Sequence, residues 1–149
     1  MSDQPLKLVK ARNRRNRRAG ADWQNKLLHE LRAEGFDTER LALAGSEDEG
    51  DLIIRRPYGE WVVIEAKAGQ MFPGDFVDQT MREKNNFARH RAIDPSVVSG
   101  VAIVKRRGRK WHQAYVLTTV EDYFGLQPRA GQAAADAREE PDEQDQAAA

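Results

Sequence analysis

The chain of 149 residues contains no cysteine, which excludes disulfide bonds, thiolate zinc sites and cysteine nucleophiles. Its three histidines, His29, His90 and His112, are scattered and lack the spacing of a metal-binding motif. Apolar runs such as WVVI and VAIV are far too short to span a membrane. The basic N-terminus is not followed by an apolar segment, so it does not resemble a secretory signal. We therefore expect a soluble cytoplasmic protein, located in the host cytoplasm if a bacteriophage encodes it.

The net charge of zero conceals an uneven distribution along the chain. Residues 1–20 contain seven basic residues and one acidic residue, whereas residues 128–149 contain two basic and six acidic residues. A strongly basic segment is typical of proteins that bind a polyanion. The composition predicts a flexible basic arm over 1–18, one domain over 19–127 and a disordered, acidic and alanine-rich tail over 128–149.

Hydrophobic spacing and turn residues predict an α/β domain with a mixed central β-sheet flanked by helices. A first helix is expected after Asp22, its N-cap, and should end at Gly35. A short strand over 41–44 precedes two apolar strands, DLIIR and WVVIEAK, which flank the turn RPYGE. A second helix is expected over 75–92. Two further strands, VVSGVAIVKR and WHQAYVLT, and a last helix capped by Thr118 complete the domain.

Charged residues stand at one end of the two apolar strands. If DLIIR and WVVIEAK form an antiparallel hairpin with the loop 56–60, opposed residue numbers sum to 116, and Asp51 faces Glu65. Lys67 lies two residues beyond Glu65 and points to the same side. Opposed carboxylates on neighbouring strands are destabilising unless a positive charge lies between them. Mg²⁺, with Mn²⁺ as a substitute, suits such oxygen ligands.

A simpler interpretation of the three charges stays open. In it, the acids belong to a solvated strand end and Lys67 is their counter-ion. An isolated match to D…ExK is frequent by chance, so the triplet alone does not decide between the two interpretations. The opposite face of the hairpin is apolar and suited to a core, with Leu52, Ile54, Val62, Ile64 and Ala66.

The same segment resembles the PD-(D/E)xK nuclease superfamily, in which an Asp opening one strand and a Glu-x-Lys on the next strand form the active centre. Here the Asp is Asp51, preceded by Gly50 rather than Pro, and the second element is Glu65-Ala66-Lys67. The resemblance implies a restriction-endonuclease-like core and metal-dependent hydrolysis of phosphodiester bonds. It also implies that Asp51, Glu65 and the carbonyl of Ala66 hold the metal, and that Lys67 orients or helps to deprotonate the attacking water.

The order of features further resembles the archaeal and bacteriophage-type Holliday junction resolvases, over residues 12–120. Those proteins have a basic N-terminal arm, a helix ending in a Gly-Phe pair, a Gly-Ser loop, and then the Asp and the Glu-x-Lys. This chain supplies RNRRNRR, Gly35-Phe36 and Gly45-Ser46 in that order. The resemblance implies a four-way DNA junction as substrate and a homodimer that makes two symmetric nicks. Ser46, and Gln79 in the second helix, are implied as supporting residues.

One position departs from the resolvase pattern. Those proteins carry a Glu early in the first helix that assists the metal site, and the matching position here holds Gln24, which can hold a metal-bound water but adds no charge. Glu30 lies about 240° away around the helix and cannot replace it. The loop acids Glu47, Asp48 and Glu49 could supply the missing charge or could be solvated loop residues.

Two basic segments are candidates for contacts with DNA phosphates. The first is the arm, whose affinity for DNA should fall steeply with salt, and its arginines are Arg12, Arg14, Arg15, Arg17 and Arg18. The second is the RGR turn with Arg107 and Arg109, which could equally be an ordinary charged hairpin tip.

Three functions follow from these alternatives. The first is a metal-dependent, structure-selective DNA endonuclease that resolves four-way junctions. The second is another PD-(D/E)xK endonuclease or exonuclease that acts on linear DNA. The third is a non-catalytic DNA-binding protein, which Gln24 keeps open and which the joint presence of Asp51, Glu65 and Lys67 argues against.

Overall fold

The computed structural model describes residues 4–42 and 47–126. The elements in chain order are α1 (Gln4–Ala33), β1 (Asp37–Arg40), β2 (Leu52–Arg55), β3 (Trp61–Lys67), α2 (Pro73–His90), β4 (Val98–Val104), β5 (Tyr115–Leu117) and α3 (Val120–Phe124). The predicted tail 128–149 and the predicted supporting residue Ser46 lie outside the described residues. None of the described helices combines the length and the apolar character needed to cross a membrane.

The five strands form one mixed sheet in the order β1-β2-β3-β4-β5. Strands β1, β2 and β3 pair antiparallel, as do β4 and β5, whereas β3 and β4 are parallel. A parallel pair requires a long crossover connection, and α2 provides it. The predicted fold class, a mixed central sheet flanked by helices, is therefore confirmed.

The hairpin of β2 and β3 has the predicted register, with Arg55 opposite Trp61 and Ile53 opposite Val63. Helix α1 covers the face that was expected to be apolar, packing Trp23, Leu27, Leu28 and Leu31 against it. The other face is also buried, because Phe87 and Ala88 of α2 pack on Ile53 and Val63. The β2–β3 hairpin therefore lies between α1 and α2, with one helix on each face of the sheet.

Helix α1 begins far earlier than the sequence analysis predicted. It starts at Gln4, with Pro5 in its first turn, so Asp22 is an interior residue and not the N-cap. Residues 6–19 consist largely of good helix formers and contain no glycine or proline, which explains the continuous helix. The C-terminus is as predicted, because Gly35 has a φ of +92° and Phe36 N–H donates to the Leu31 carbonyl.

Other boundaries differ from the prediction by a few residues. The first strand is Asp37–Arg40, whereas the prediction placed it at 41–44. Residues 41 and 42 are not in a strand, and residues 43 and 44 lie outside the described part of the chain. Helix α2 begins at Pro73 and ends at His90, two residues before the predicted limits at both ends. The segment Trp111–Gln113, predicted as strand, forms a 3₁₀ turn before β5.

The cap of the last helix is also displaced by one residue. Thr119, and not Thr118, caps α3, and its Oγ1 accepts a hydrogen bond from the Asp122 N–H. Thr118 donates from its hydroxyl to the Gly100 carbonyl of β4 at 2.6 Å. Two consecutive threonines offer the same capping chemistry, and the contact with β4 decides which of them is used.

Candidate active site

The predicted charges come together where β3 leaves the core. Val63, Glu65 and Lys67 are two residues apart along β3, so all three point to the face of the sheet that α2 covers. Asp51 lies one residue before β2, and its backbone N–H donates to the Ile64 carbonyl at 2.9 Å. Asp51 is thus a neighbour of Glu65, although it is outside the strand pairing.

The Asp51 carboxylate is held from two directions. Its Oδ1 accepts a hydrogen bond from Gln24 Nε2 at 2.6 Å, and its Oδ2 accepts one from the Ala66 backbone N–H at 2.8 Å. Gln24 therefore acts as a hydrogen-bond donor to Asp51, and its position in α1 is the one where an acid was expected. Because the N–H and C=O of one residue point to the same side of a strand, the Ala66 carbonyl also faces the Asp51 side.

Glu65, Lys67 and Gln79 form a connected group. Lys67 Nζ lies 3.0 Å from Glu65 Oε1 and donates to Gln79 Oε1 at 2.8 Å. Gln79 Nε2 in turn donates to Glu65 Oε1 at 3.2 Å. The Lys67 ammonium also lies 5.2 Å from the centre of the Phe76 ring. Gln79, the predicted supporting residue of α2, therefore contacts both charged residues of β3 and fixes their relative orientation.

A fourth charged residue, Glu83, was missed by the sequence analysis. It lies one turn after Gln79 on α2, is only 4% exposed, and accepts a hydrogen bond from Gln79 Nε2 through Oε1 at 2.7 Å. The same Gln79 Nε2 also donates to Glu65 Oε1 at 3.2 Å, so one amide group bridges the Glu65 and Glu83 carboxyl groups. A signal was present in the sequence, because Glu83 is four residues from both Gln79 and Phe87 and so lies on the helix face turned towards the sheet.

Gly50 explains how these acids approach each other. Its φ is +101°, and a Cβ at this position would lie 2.8 Å from Val63 Cγ1 and 3.5 Å from Glu83 Oε2. Both the backbone conformation and the space exclude a larger residue. The sequence departs here from the Pro of the nuclease motif, and a glycine lets the backbone before Asp51 pass directly over β3 and α2.

Burial dominates the electrostatics of the site. It raises the pKa of Asp51 to about 7, with the charge of Glu65 adding to the effect and the Ala66 N–H and Lys67 opposing it. Burial also raises the pKa of Glu65 to about 8, helped by the hydrogen bond and charge of Glu83. The pKa of Glu83 is raised as well, again chiefly by burial. Three acids, Asp51, Glu65 and Glu83, therefore lie near the ammonium group of Lys67. A bound cation would relieve the repulsion between their carboxylates.

The loop acids separate into two groups. Glu47 and Glu49 each lie 3.2 Å from a ring nitrogen of His90, and Glu49 also pairs with Arg91, so both are engaged at the far end of α2. Asp48 is half-buried, and its charge contributes to the raised pKa of Asp51 and of Glu83. Of the three candidates for the missing charge, Asp48 alone acts on the site.

The residues fit a hard divalent cation. Two carboxylates, Asp51 and Glu65, and the Ala66 carbonyl present oxygen atoms, which Mg²⁺ prefers. Glu83 Oε2 is buried and has no hydrogen-bond partner among the described residues, as expected of an atom that lacks its ligand. Within residues 4–42 and 47–126, no three acidic or histidine side chains are already gathered around one point. Gln79 and Lys67 hold the oxygens of Glu65 and Glu83 in this arrangement.

The predicted DNA contacts lie on two sides of this site. All five arginines of the arm are exposed on α1, and Arg17 is seven residues before Gln24, hence on the same helix face and about 10 Å away along the axis. Arg107 and Arg109 are exposed in the segment that joins β4 to β5. That segment starts next to the site, since Lys105 N–H donates to the Lys67 carbonyl at 2.8 Å.

The raised pKa values predict that the metal-free protein loses stability as the pH rises from about 5 to about 8. Asp51 and Glu65 titrate near pH 4 in an unfolded chain and at about 7 and about 8 in the folded one, so the folded state holds more protons in this window. Stability falls with pH wherever the folded state binds the additional protons.

Melting temperatures measured in the presence of a chelator at pH 5 and at pH 8 test this expectation. The wild type should melt several degrees lower at pH 8 than at pH 5, and Asp51→Asn should reduce the difference. An equal pH dependence in the two proteins would contradict the buried placement of Asp51.

Five chains among the solved structures match this protein, whereas the sequence comparisons find nothing. No protein-family model matches the sequence, and no curated protein matches it either. Among solved structures, the chain is similar to Hjc, a Holliday junction resolvase from the archaeal hyperthermophile Archaeoglobus fulgidus. The identity is 20% and the TM-score 0.43, over 66% of this chain and 70% of that one.

Proposed function

We propose that the protein is a Mg²⁺-dependent endonuclease that cuts branched DNA at four-way junctions. The observation that carries the proposal is the meeting of Asp51, Glu65 and Lys67 at the end of one hairpin, with Glu65 buried, Asp51 half-buried and the pKa values of both carboxyl groups raised. A solvated strand end with a counter-ion would leave these acids exposed, whereas Glu65 is only 6% exposed. The preference for junctions is inferred from the order of sequence features around this core.

The residues of the site suit hydrolysis of a phosphodiester. Asp51, Glu65 and the Ala66 carbonyl would hold the metal, which when bound lowers the pKa of a water and neutralises charge on the phosphate. Gln24 and the Ala66 N–H keep the Asp51 carboxylate in a fixed orientation. Lys67 is held by Glu65 and Gln79, so its ammonium is in place to orient the attacking water and to stabilise the negative charge of the transition state.

The basic segments suit a nucleic acid lying across the site. Arg17 extends from the site along α1, and Arg107 and Arg109 follow β4 on the Lys67 side. Cations on both sides of a phosphodiester site can bind the DNA backbone without regard to base sequence. This arrangement favours a substrate chosen by its shape.

Cleavage of a labelled four-way junction in Mg²⁺ tests the proposal against its alternatives. We expect paired nicks near the branch point, and little cutting of the linear duplex arms under the same conditions. The control is Asp51→Asn, which removes a metal ligand without altering the size of the side chain. Equal cutting of junction and duplex would show a nuclease for linear DNA, and binding without any Mg²⁺-dependent cutting would leave a DNA-binding protein.

We further propose that the active form is a homodimer. Two symmetric nicks across a junction require two active sites related by a two-fold axis, and this chain carries one such site. Light scattering on the purified protein, with and without a junction, measures the mass. A monomer in both conditions that still makes paired nicks would contradict the proposal.

A further inference from the structure

Glu83 occupies a position that is costly for a carboxylate. It is 4% exposed, and its Oε2 has no hydrogen-bond partner among the described residues. Lys67, the nearby cation, is paired with Glu65. Removing a partner from a buried charged group is strongly destabilising, so a buried acid with a free oxygen calls for a compensating ligand.

The free oxygen of Glu83 lies beside the backbone that precedes Asp51. It lies 3.5 Å from the position that a Cβ of Gly50 would occupy, directly before Asp51 in the chain. The other oxygen of Glu83, Oε1, accepts a hydrogen bond from Gln79 Nε2, which also donates to Glu65 Oε1. Glu83 Oε2 therefore lies against the backbone that leads into Asp51, while Glu83 Oε1 is joined to Glu65 through the Gln79 amide.

The opposite wall of the same space lacks a charge. Gln24 reaches Asp51 from α1 and contributes an amide, where a carboxylate was expected. One acid is thus missing on the α1 side, and one unexpected acid is present on the α2 side. An acid was expected on α1, and the structure places a buried acid on α2 instead.

We propose that Glu83 is the third carboxylate ligand of the metal site and supplies from α2 the charge that Gln24 does not supply from α1. This inference rests on the proposed metal-dependent function of the site. Gln79 Nε2 bridges Glu65 and Glu83, at 3.2 Å and 2.7 Å, and keeps the two carboxyl groups adjacent. The alternative is that Glu83 is a structural residue whose only role is to hold Gln79.

Calorimetric titration of the full chain with Mn²⁺ alone, without DNA, separates these two roles. We expect Glu83→Gln to weaken Mn²⁺ binding at least about 10-fold, because a ligand is lost. The double variant Gln24→Glu with Glu83→Gln should recover a large part of the affinity, because a carboxylate returns on the α1 side. Glu47→Gln is the matched control, since it removes an acid that pairs with His90 outside the site.

Melting temperatures provide a second readout that does not depend on activity. Without metal, Glu83→Gln should melt at least as high as the wild type, because a buried carboxylate is replaced by a neutral side chain of the same size. With Mn²⁺, its melting temperature should rise less than that of the wild type. Glu83→Met, which is apolar and similar in size, serves if the Gln variant does not fold.

The outcomes distinguish this inference from the function on which it rests. Wild-type Mn²⁺ affinity in both Glu83 variants would overturn the role of Glu83 and leave the nuclease proposal intact. Weaker binding without recovery in the double variant would also overturn it, because it would indicate a structural effect through Gln79. A wild-type chain that binds no Mn²⁺, or an Asp51→Asn variant that binds it unchanged, would instead refute the metal site itself.

Discussion

Lys67→Ala is expected to lower Mg²⁺-dependent cleavage of DNA by about 10²–10³-fold, a typical effect of removing one group that stabilises the transition state. The ammonium of Lys67 is held by Glu65 and Gln79 beside the candidate metal ligands, so the substitution removes a positive charge from the proposed site of reaction. Single-turnover cleavage of a labelled junction, with enzyme in excess, measures the chemical step without a contribution from product release.

DNA affinity should hardly change in the same variant. Lys67 is one cation among many, and 23% of its side chain is exposed, so its contribution to phosphate binding is small compared with that of the exposed arginines. Lys26→Ala is the matched control, because Lys26 is exposed on α1 and pairs with Glu30 at the surface. Full cleavage by Lys67→Ala, or an equal loss in Lys26→Ala, would remove Lys67 from the proposed mechanism.

Replacing the five arginines of the arm by glutamine is expected to weaken DNA binding by about 10²–10³-fold at physiological salt. Each phosphate contact releases counterions, and five contacts correspond to a change of about 4–5 in the slope of log affinity against log salt. Binding of a junction to the two proteins, measured from about 50 to 200 mM salt, gives this slope. Glutamine favours a helix nearly as well as arginine, so α1 should persist, which circular dichroism can verify.

Single substitutions can locate the DNA relative to the site. Arg17 lies on the same face of α1 as Gln24, whereas Arg12 is about 140° away from Arg17 around the helix. We expect Arg17→Gln to lower the affinity more than Arg12→Gln does. Equal effects of the two substitutions would mean that the arm binds phosphates without a preferred face, and no effect of the fivefold replacement would assign DNA binding to other residues such as Arg107 and Arg109.

Parts of the fold were predictable because they depend on local sequence. The two apolar runs in DLIIR and WVVIEAK, with a five-residue hairpin loop between them, were enough to predict the register that pairs Ile53 with Val63. Gly35 was recognisable as the end of α1, because a residue with positive φ is required there. Helix boundaries were less predictable. Asp22 is a good N-cap in isolation, but the favourable helix residues before it continue the helix to Gln4.

The candidate site was predictable only in part, because local spacing relates some of its residues and helix packing brings in the others. Asp51, Glu65 and Lys67 were found because their spacing along a hairpin is set by the two-residue period of a strand. Glu83 lies 18 residues after Glu65 on another element, and no local pattern relates the two. The role of Gln24 as a donor to Asp51 depends in the same way on how α1 packs against the sheet.

The sequence by itself determined which residues of the β2–β3 hairpin share a face, and that this hairpin ends in two acids and an amine, because side-chain direction along a strand follows from chain geometry alone. Only the tertiary structure decided that α2 places Glu83 and Gln79 against Glu65, and that α1 places Gln24 against Asp51. The burial that raises the pKa values of these acids exists only once both helices cover the sheet, since desolvation is a property of packing and not of any residue's position in the chain.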